Sequence, residues 1–254
     1  AVEFIKRDPL SLGALVTTHK IALYHACQDL FEYLDPFARK LGEISCISKK
    51  DGKLCGHAKD PISSGLALEH FVPENYWKDH DGEVFLMGAG GAALAMSLYF
   101  GERKSGDDIP KKIIISNRSL PRLESARRIL DGLNPEIQFE YVHTPQPEDN
   151  DCILASLKPY SLVVNATGLG KDAPGSPLTE QCSFPENSLV WEINYRGELI
   201  FMDQAKAQAE TKKLYIEDGW IYFIHGWTQV VAEVFHIDRM EDKVLMLSEV
   251  AKNA

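Results

Sequence analysis

From Glu83 onward the sequence alternates short apolar runs with helical patterns, and that alternation predicts a parallel sheet with crossover helices. The apolar runs place strands at 84–87, 113–116, 137–142, 162–165, 189–193 and 214–216. Helical spacing fills 92–100, 120–132, 151–158, 201–210 and 220–235. Strands and helices in this order make a doubly wound, Rossmann-type α/β domain whose ligand crevice lies at the carboxyl ends of the strands. This domain is expected over residues 67–236.

The residues before it predict a smaller α/β domain over 1–66, with a substrate cleft between the two. It comprises extended segments at 2–5 and 14–17, a helical run at 21–33, and a hairpin of 44–48 with 53–56 around Lys50-Asp51-Gly52. A last helix at 239–251 follows the larger domain, and 237–254 is expected to pack back on the first.

Composition removes several function classes. The formal charge is −10, with 37 acidic against 27 basic residues, so no global field draws the chain to nucleic acid or to an anionic membrane surface. The uncharged run 84–100 contains Gly88, Gly90 and Gly91, which suits a buried strand, a tight turn and a buried helix better than a membrane span. Residues 1–14 show no basic segment followed by a sustained apolar one, so no secretory signal is read there. The five cysteines, Cys27, Cys46, Cys55, Cys152 and Cys182, include no Cys-x-x-Cys pair, so no metal site is expected and free thiols in a cytoplasmic setting are.

Gly88-Ala89-Gly90-Gly91-Ala92-Ala93 directly follows the first strand of the larger domain and opens a helix, the context that a dinucleotide fingerprint requires. Gly88 allows the tight turn, Gly90 lets a pyrophosphate approach the backbone, and Ala93 permits close packing of helix on strand. The second strand ends in Ser116-Asn117-Arg118-Ser119. No carboxylate stands there to bind a ribose 2′-hydroxyl, whereas Arg118 can pair with a 2′-phosphate and Asn117 and Ser119 can add hydrogen bonds. NADP is therefore the expected cofactor; an exposed Arg118 beside an N-cap Ser119 is the alternative.

With those residues in place, the chain resembles the shikimate dehydrogenase family in Gly88–Ala93, in Asn117-Arg118-Ser119, in Asn165-Ala166-Thr167-Gly168-Leu169-Gly170 and in Tyr195. The resemblance covers most of the chain and implies a cytoplasmic NADP-dependent oxidoreductase of aromatic amino acid biosynthesis. A ketone and a secondary alcohol of a small cyclic hydroxy acid would be interconverted, with shikimate and 3-dehydroshikimate as the best candidates. The same resemblance implies a monomer or homodimer, and a cofactor site of Gly88, Ala89, Gly90, Gly91, Ala92, Asn117, Arg118, Ser119, Ala166, Thr167 and Gly168.

In the smaller domain, Val16-Thr17-Thr18-His19-Lys20 and Gly56-His57-Ala58-Lys59-Asp60 are similar to the family's two catalytic motifs and imply Lys20 and Asp60 as the acid–base pair. An ammonium paired with a carboxylate can give a proton to a developing alkoxide and stabilise its charge. Thr17, Ser45, Tyr195 and Gln229 are implied at the substrate. The departures also fall there. The family's proline is missing and the motif before Lys20 is one residue shorter, Ala-Val-Asn-Thr becomes Glu43-Ile44-Ser45-Cys46, and Ala58 and Lys59 replace Asn and Thr. Gly197 stands in place of a proline, the preceding strand carries Glu192 in place of Asp, and the family's opening strand with its Ser-x-Ser segment has no counterpart before Val2, which points to a trimmed or missing segment. Two alternatives follow: a divergent relative acting on quinate, an amino analogue or another small substrate, and a non-catalytic NADP-binding protein.

Overall fold

The computed structural model describes residues 1–238 and 243–252. The chain divides into two compact units, residues 1–66 with 221–254, and residues 67–220.

The second unit is the doubly wound domain. Strands β5 (Val84–Met87), β6 (Lys112–Asn117), β7 (Gln138–His143), β8 (Leu162–Asn165), β9 (Leu189–Glu192) and β10 (Tyr215–Glu217) form one parallel sheet in the order β10-β9-β8-β5-β6-β7. The order reverses between β5 and β8, and ligands of such sheets bind outside the strand ends at that switch point. Every residue of β5, β8 and β9 is buried, which is why their sequences read as unbroken apolar runs. Phe85, Met87, Val163 and Val190 pack with Leu154, Phe184 and Phe201 in one core. The uncharged run 84–100 divides, as expected, into β5, a glycine turn and the helix α6 (Gly91–Gly101). Among the described residues no helix is long and apolar enough to cross a membrane.

Boundaries moved where local chemistry was overlooked. The helix expected at 151–158 is α8 (Pro147–Ser156), opened by Pro147 and by the Asp149 carboxylate, which accepts the Gln146 N–H at 2.9 Å. The helix expected at 201–210 is two, α9 (Ile200–Lys206) and α10 (Ala209–Lys212). At the break, Gln208 donates to the Cys182 carbonyl at 3.0 Å and accepts from the Phe184 N–H at 3.1 Å.

The first unit holds a four-stranded sheet in the order β1-β3-β4-β2: β1 (Gly13–Leu15), β2 (Tyr33–Leu34), β3 (Cys46–Lys50) and β4 (Lys53–His57). Its hairpin turns through Asp51 and Gly52, both with positive φ, the conformation of a two-residue turn that matches strand twist. The extended segment expected at 2–5 is instead the helix α1 (Val2–Arg7), and the helical run expected at 21–33 is α2 (Lys20–Cys27) followed by a 3₁₀ turn, Gln28–Leu30. Beyond that turn Glu32 exchanges its backbone and carboxylate bonds with Leu54, which pulls Tyr33 and Leu34 into the sheet as β2.

The helix α11 (Trp220–Phe235), expected in the nucleotide-binding domain, groups with the first unit from Ile221 on. Its Glu233 pairs with Lys59, and its Val234 lies where a Cβ on Gly13 of β1 would reach it at 3.0 Å. The expected last helix is α12 (Val244–Lys252); residues 239–242 of that expectation lie outside the described residues. All five cysteines are free thiols.

Candidate functional site

In the second unit, β5 ends in Gly88, whose φ is +110° and whose added Cβ would stand 2.5 Å from the Ala166 carbonyl oxygen. Only glycine meets both conditions, so the turn closes the β5 end against the β8 loop. Gly90 caps α6, and a Cβ there would meet nothing within 4 Å. The backbone amides that start α6 thus face open space, as an anion site at a helix N-terminus requires.

That space is a groove of about 500 Å³ lined by Gly88, Ala89 and Gly90, by Asn117, Arg118 and Ser119, and by Ala166, Thr167 and Gly168. The three segments come together because parallel neighbouring strands end on the same side of the sheet. Gly91 and Ala92 open α6 next to it. The groove also contains Arg122, one helical turn beyond Arg118, which the sequence analysis did not single out; a second cation four residues on was the available signal. Neither guanidinium has a hydrogen bond or ion pair among the described residues. Ser119 stands at the N-cap of α7 (Leu120–Leu130), but its hydroxyl makes no capping bond. The lining carboxylate, Asp172, is paired with Lys171 at 3.3 Å.

The β8 loop is held from below by a buried polar network. Asn165 accepts from the Thr167 N–H and hydroxyl, and its amide donates to Glu192 at 2.7 Å. Glu192 also accepts from the Asn194 backbone at 2.9 Å and side chain at 2.6 Å. Both Asn165 and Asn194 donate onward to the Leu169 carbonyl. Burial pushes the Glu192 carboxyl up to about 7 against the pull of these donors and of Lys171.

In the first unit, Lys20 is the first residue of α2 and Asp60 the first of α4 (Asp60–Phe71), and the Lys20 ammonium donates to Asp60 Oδ2. His19, at the N-cap just before Lys20, is a non-glycine residue in the left-handed region at φ 57°. Two segments 40 residues apart thereby present a half-buried cation–anion pair, 23% and 15% exposed at the side chains.

Ser45, expected at the substrate, is 2% exposed, and its hydroxyl accepts the Lys59 N–H at 2.7 Å and donates to the His57 carbonyl at 3.4 Å. Lys59 donates to Glu233 at 2.6 Å, and His57 lies 3.3 Å from the other oxygen of Glu233 and 3.6 Å from Asp35. Burial works against the charge on Glu233, but Lys59 and His57 outweigh it and hold its carboxyl below the usual range. Gln229 lies one turn before Glu233 on α11 and lines a small pocket of about 260 Å³ with Lys59 and Glu233. Thr17 is exposed between β1 and α2. Tyr195, in the second unit, is half-buried edge-on to Trp220 with the Arg196 guanidinium 5.6 Å from its ring. Among the described residues no group of three or more His, Cys, Asp or Glu side chains is placed to hold a metal ion.

No family model matches the chain. The shikimate dehydrogenase (NADP(+)) of Streptococcus thermophilus is 27% identical over 179 residues, 69% of this chain, and the match spans only 57% of that protein. That of Bacillus mycoides is 26% identical over 257 residues, covering 96% of this chain and 82% of the relative. Shikimate 5-dehydrogenase from Thermus thermophilus, solved in complex with NADP(H) and shikimate, has the same fold at a TM-score of 0.67 and 20% identity, with 96% of this chain and 82% of that one covered.

Proposed function

We propose that this chain, which belongs with the shikimate dehydrogenases in sequence and fold, is an NADP-dependent dehydrogenase that interconverts a ketone and a secondary alcohol of a cyclic hydroxy acid, shikimate and 3-dehydroshikimate being the pair. The observation that carries the proposal is the Lys20–Asp60 ion pair, assembled at two helix starts from the segments that resemble the catalytic motifs.

The groove fits NADP on its own features. Open space at Gly90 leaves the first amides of α6 free for a pyrophosphate, and the unpaired guanidinium groups of Arg118 and Arg122 suit a 2′-phosphate, with Asn117 and Ser119 beside them. Ala166, Thr167 and Gly168 form the groove's other wall, fixed by Asn165 and Glu192. NADP, when bound, supplies or accepts a hydride. The chain's own part is the proton: in ketone reduction the Lys20 ammonium gives one to the developing alkoxide, and in alcohol oxidation the Lys20 amine takes it from the hydroxyl. Asp60 orients Lys20 and balances its charge.

On the substrate side, Thr17 and Gln229 in the first unit and Tyr195 in the second are the proposed contacts. A second substrate reading, quinate or an amino analogue, is favoured by Ser45, whose hydroxyl is engaged by backbone where a substrate-binding Asn is the family pattern. We place the protein in the cytoplasm as a monomer or homodimer, with its free thiols suited to a reducing compartment. Steady-state assays of shikimate, quinate and an amino analogue with NADP and NAD test the proposal. Turnover of shikimate with NADP is expected; turnover of an analogue alone would select the second reading, and NADP binding without turnover of any would sink the dehydrogenase assignment.

A further inference from the structure

Glu43 occupies the position where the resemblance has alanine, and it is built into the region of the Lys20–Asp60 pair. The helix α3 (Pro36–Leu41) ends at Gly42 in the left-handed conformation, and the Glu43 N–H returns to the Ala38 carbonyl. The next two residues are stitched to the segments that carry the pair: the Ile44 N–H donates to the Lys20 carbonyl at 3.3 Å, the Ser45 N–H to the His57 carbonyl at 2.9 Å, and Ser45 accepts from Lys59. Glu43 is 2% exposed, and its Oε1 has no hydrogen-bond partner among the described residues.

The ionisable groups whose charge acts on it are Lys20 from α2 and Asp60 from α4, and it acts in turn on the phenol of Tyr222 from α11. On the far side of the same segment, Cys46 faces Lys59, Glu233 and Asp35. With one ammonium and two carboxylates in the cluster, an ionised Glu43 leaves a net negative charge in a buried place, and an unpaired buried oxygen makes that more costly. Burial first and Asp60 second push the Glu43 carboxyl up to about 7, with Lys20 opposing. Burial, Asp60 and Glu43 in turn raise the Tyr222 phenol well above its ordinary range, so it stays neutral.

We infer that Glu43 is a positioning residue that sets the charge around the Lys20–Asp60 pair: protonated, it leaves the pair neutral, and ionised, it adds a second carboxylate beside the Lys20 ammonium and so favours the ammonium form by charge. Ketone reduction uses Lys20 as ammonium and alcohol oxidation uses it as amine, so an ionised Glu43 biases the site toward reduction at and above neutral pH. The bias in direction rests on the dehydrogenase reading; the electrostatic coupling does not.

Two measurements test it. In the pH profile of alcohol oxidation, where Lys20 acts as the amine, Glu43→Gln should move the limb that rises with pH to lower pH, and Glu43→Asp, which keeps the charge, should stay close to the wild-type profile. A folded, active Glu43→Gln with an unshifted profile overturns the inference. Independently of turnover, NMR of the wild-type chain labelled at Glu carboxyls and Lys Nζ should show Glu43 titrating close to neutrality with the Lys20 resonance moving through the same midpoint. A Glu43 carboxyl that titrates at roughly 4 with no response at Lys20 overturns the inference even if the chain is active or the Gln variant fails to fold. Coupled titration in a chain that turns over no substrate would instead remove the dehydrogenase reading and leave the coupling standing.

Discussion

The groove of the second unit and the charged cluster of the first are built in opposite ways. Around the groove, the chain places glycine backbone, helix amides and exposed arginines at the ends of neighbouring parallel strands, and each segment does its work within a few residues of itself. Around Lys20, the side chains come from four separate stretches and are half or wholly buried, so each one's ionisation depends on the others. A local, solvated site tolerates divergence elsewhere in the chain. A buried cluster does not, and the departures from the family pattern at Glu43, Ser45, Ala58 and Lys59 fall there.

The largest effect expected is at the groove. Gly90→Val should abolish NADP binding by filling the open space over the α6 amides, while the poorer N-cap costs only about 1 kcal/mol and the variant stays folded. Calorimetry that found native NADP affinity in the folded variant would break the assignment. Next, Lys20→Ala should lower turnover by roughly 10²–10⁴-fold and leave NADP affinity unchanged. Because Lys20 and Asp60 act as one unit, adding Asp60→Asn should cost far less than the product of the single losses. Independent, multiplying losses would show that the cluster is no more cooperative than the groove.

Arg118→Ala should weaken NADP by about 1.5–3 kcal/mol and leave NAD nearly untouched. Arg122→Ala should act in the same direction, and the double variant should bring the two cofactor affinities together; equal losses for NADP and NAD would mean that these arginines do not read the 2′-phosphate.

The smallest effect sharpens the comparison by finding a buried carboxylate on the groove side. The folded value of Glu192, about 7, lies above its ordinary 4.5, so the native state holds a proton that the unfolded chain releases between those values. Its contribution to stability is complete below about pH 4.5 and is lost as pH rises through about 7. Glu43 contributes in the same window and with the same sign. The Glu192 carboxylate accepts from Asn165 and from Asn194; Gln cannot accept at both positions and loses one of these bonds, but it does not ionise, so the stability of Glu192→Gln relative to wild type should rise as pH goes from about 5 to 8. Denaturant titrations whose difference stayed flat with pH would show that the carboxyl is ionised throughout.

Much of the second unit was legible because its rules are short-range. Fully buried parallel strands announce themselves as apolar runs, Gly88 is required by a turn that only glycine can make, and Arg118 could be judged from the missing carboxylate beside it. Arg122 escaped notice because its membership in the groove depends on α7 being in place. In the first unit, the helix at Val2–Arg7 was missed because its 6 residues are too few to show a helical period, and the short strand Tyr33–Leu34 because it is placed by the bonds between Glu32 and Leu54 rather than by its own periodicity.

The sequence by itself determined the order of strands in the second unit, the glycine turn and the absence of an acidic 2′-hydroxyl reader, because each is written in neighbouring residues, while the candidates Lys20 and Asp60 came from the resemblance to a known family. Only the tertiary structure decided that α11 groups with the first unit, that Ser45 binds backbone, and that Glu43 is buried near the Lys20–Asp60 pair. Those outcomes depend on burial and on charges brought together from distant parts of the chain, and desolvation and Coulomb energies are properties of the folded arrangement rather than of any local stretch of sequence.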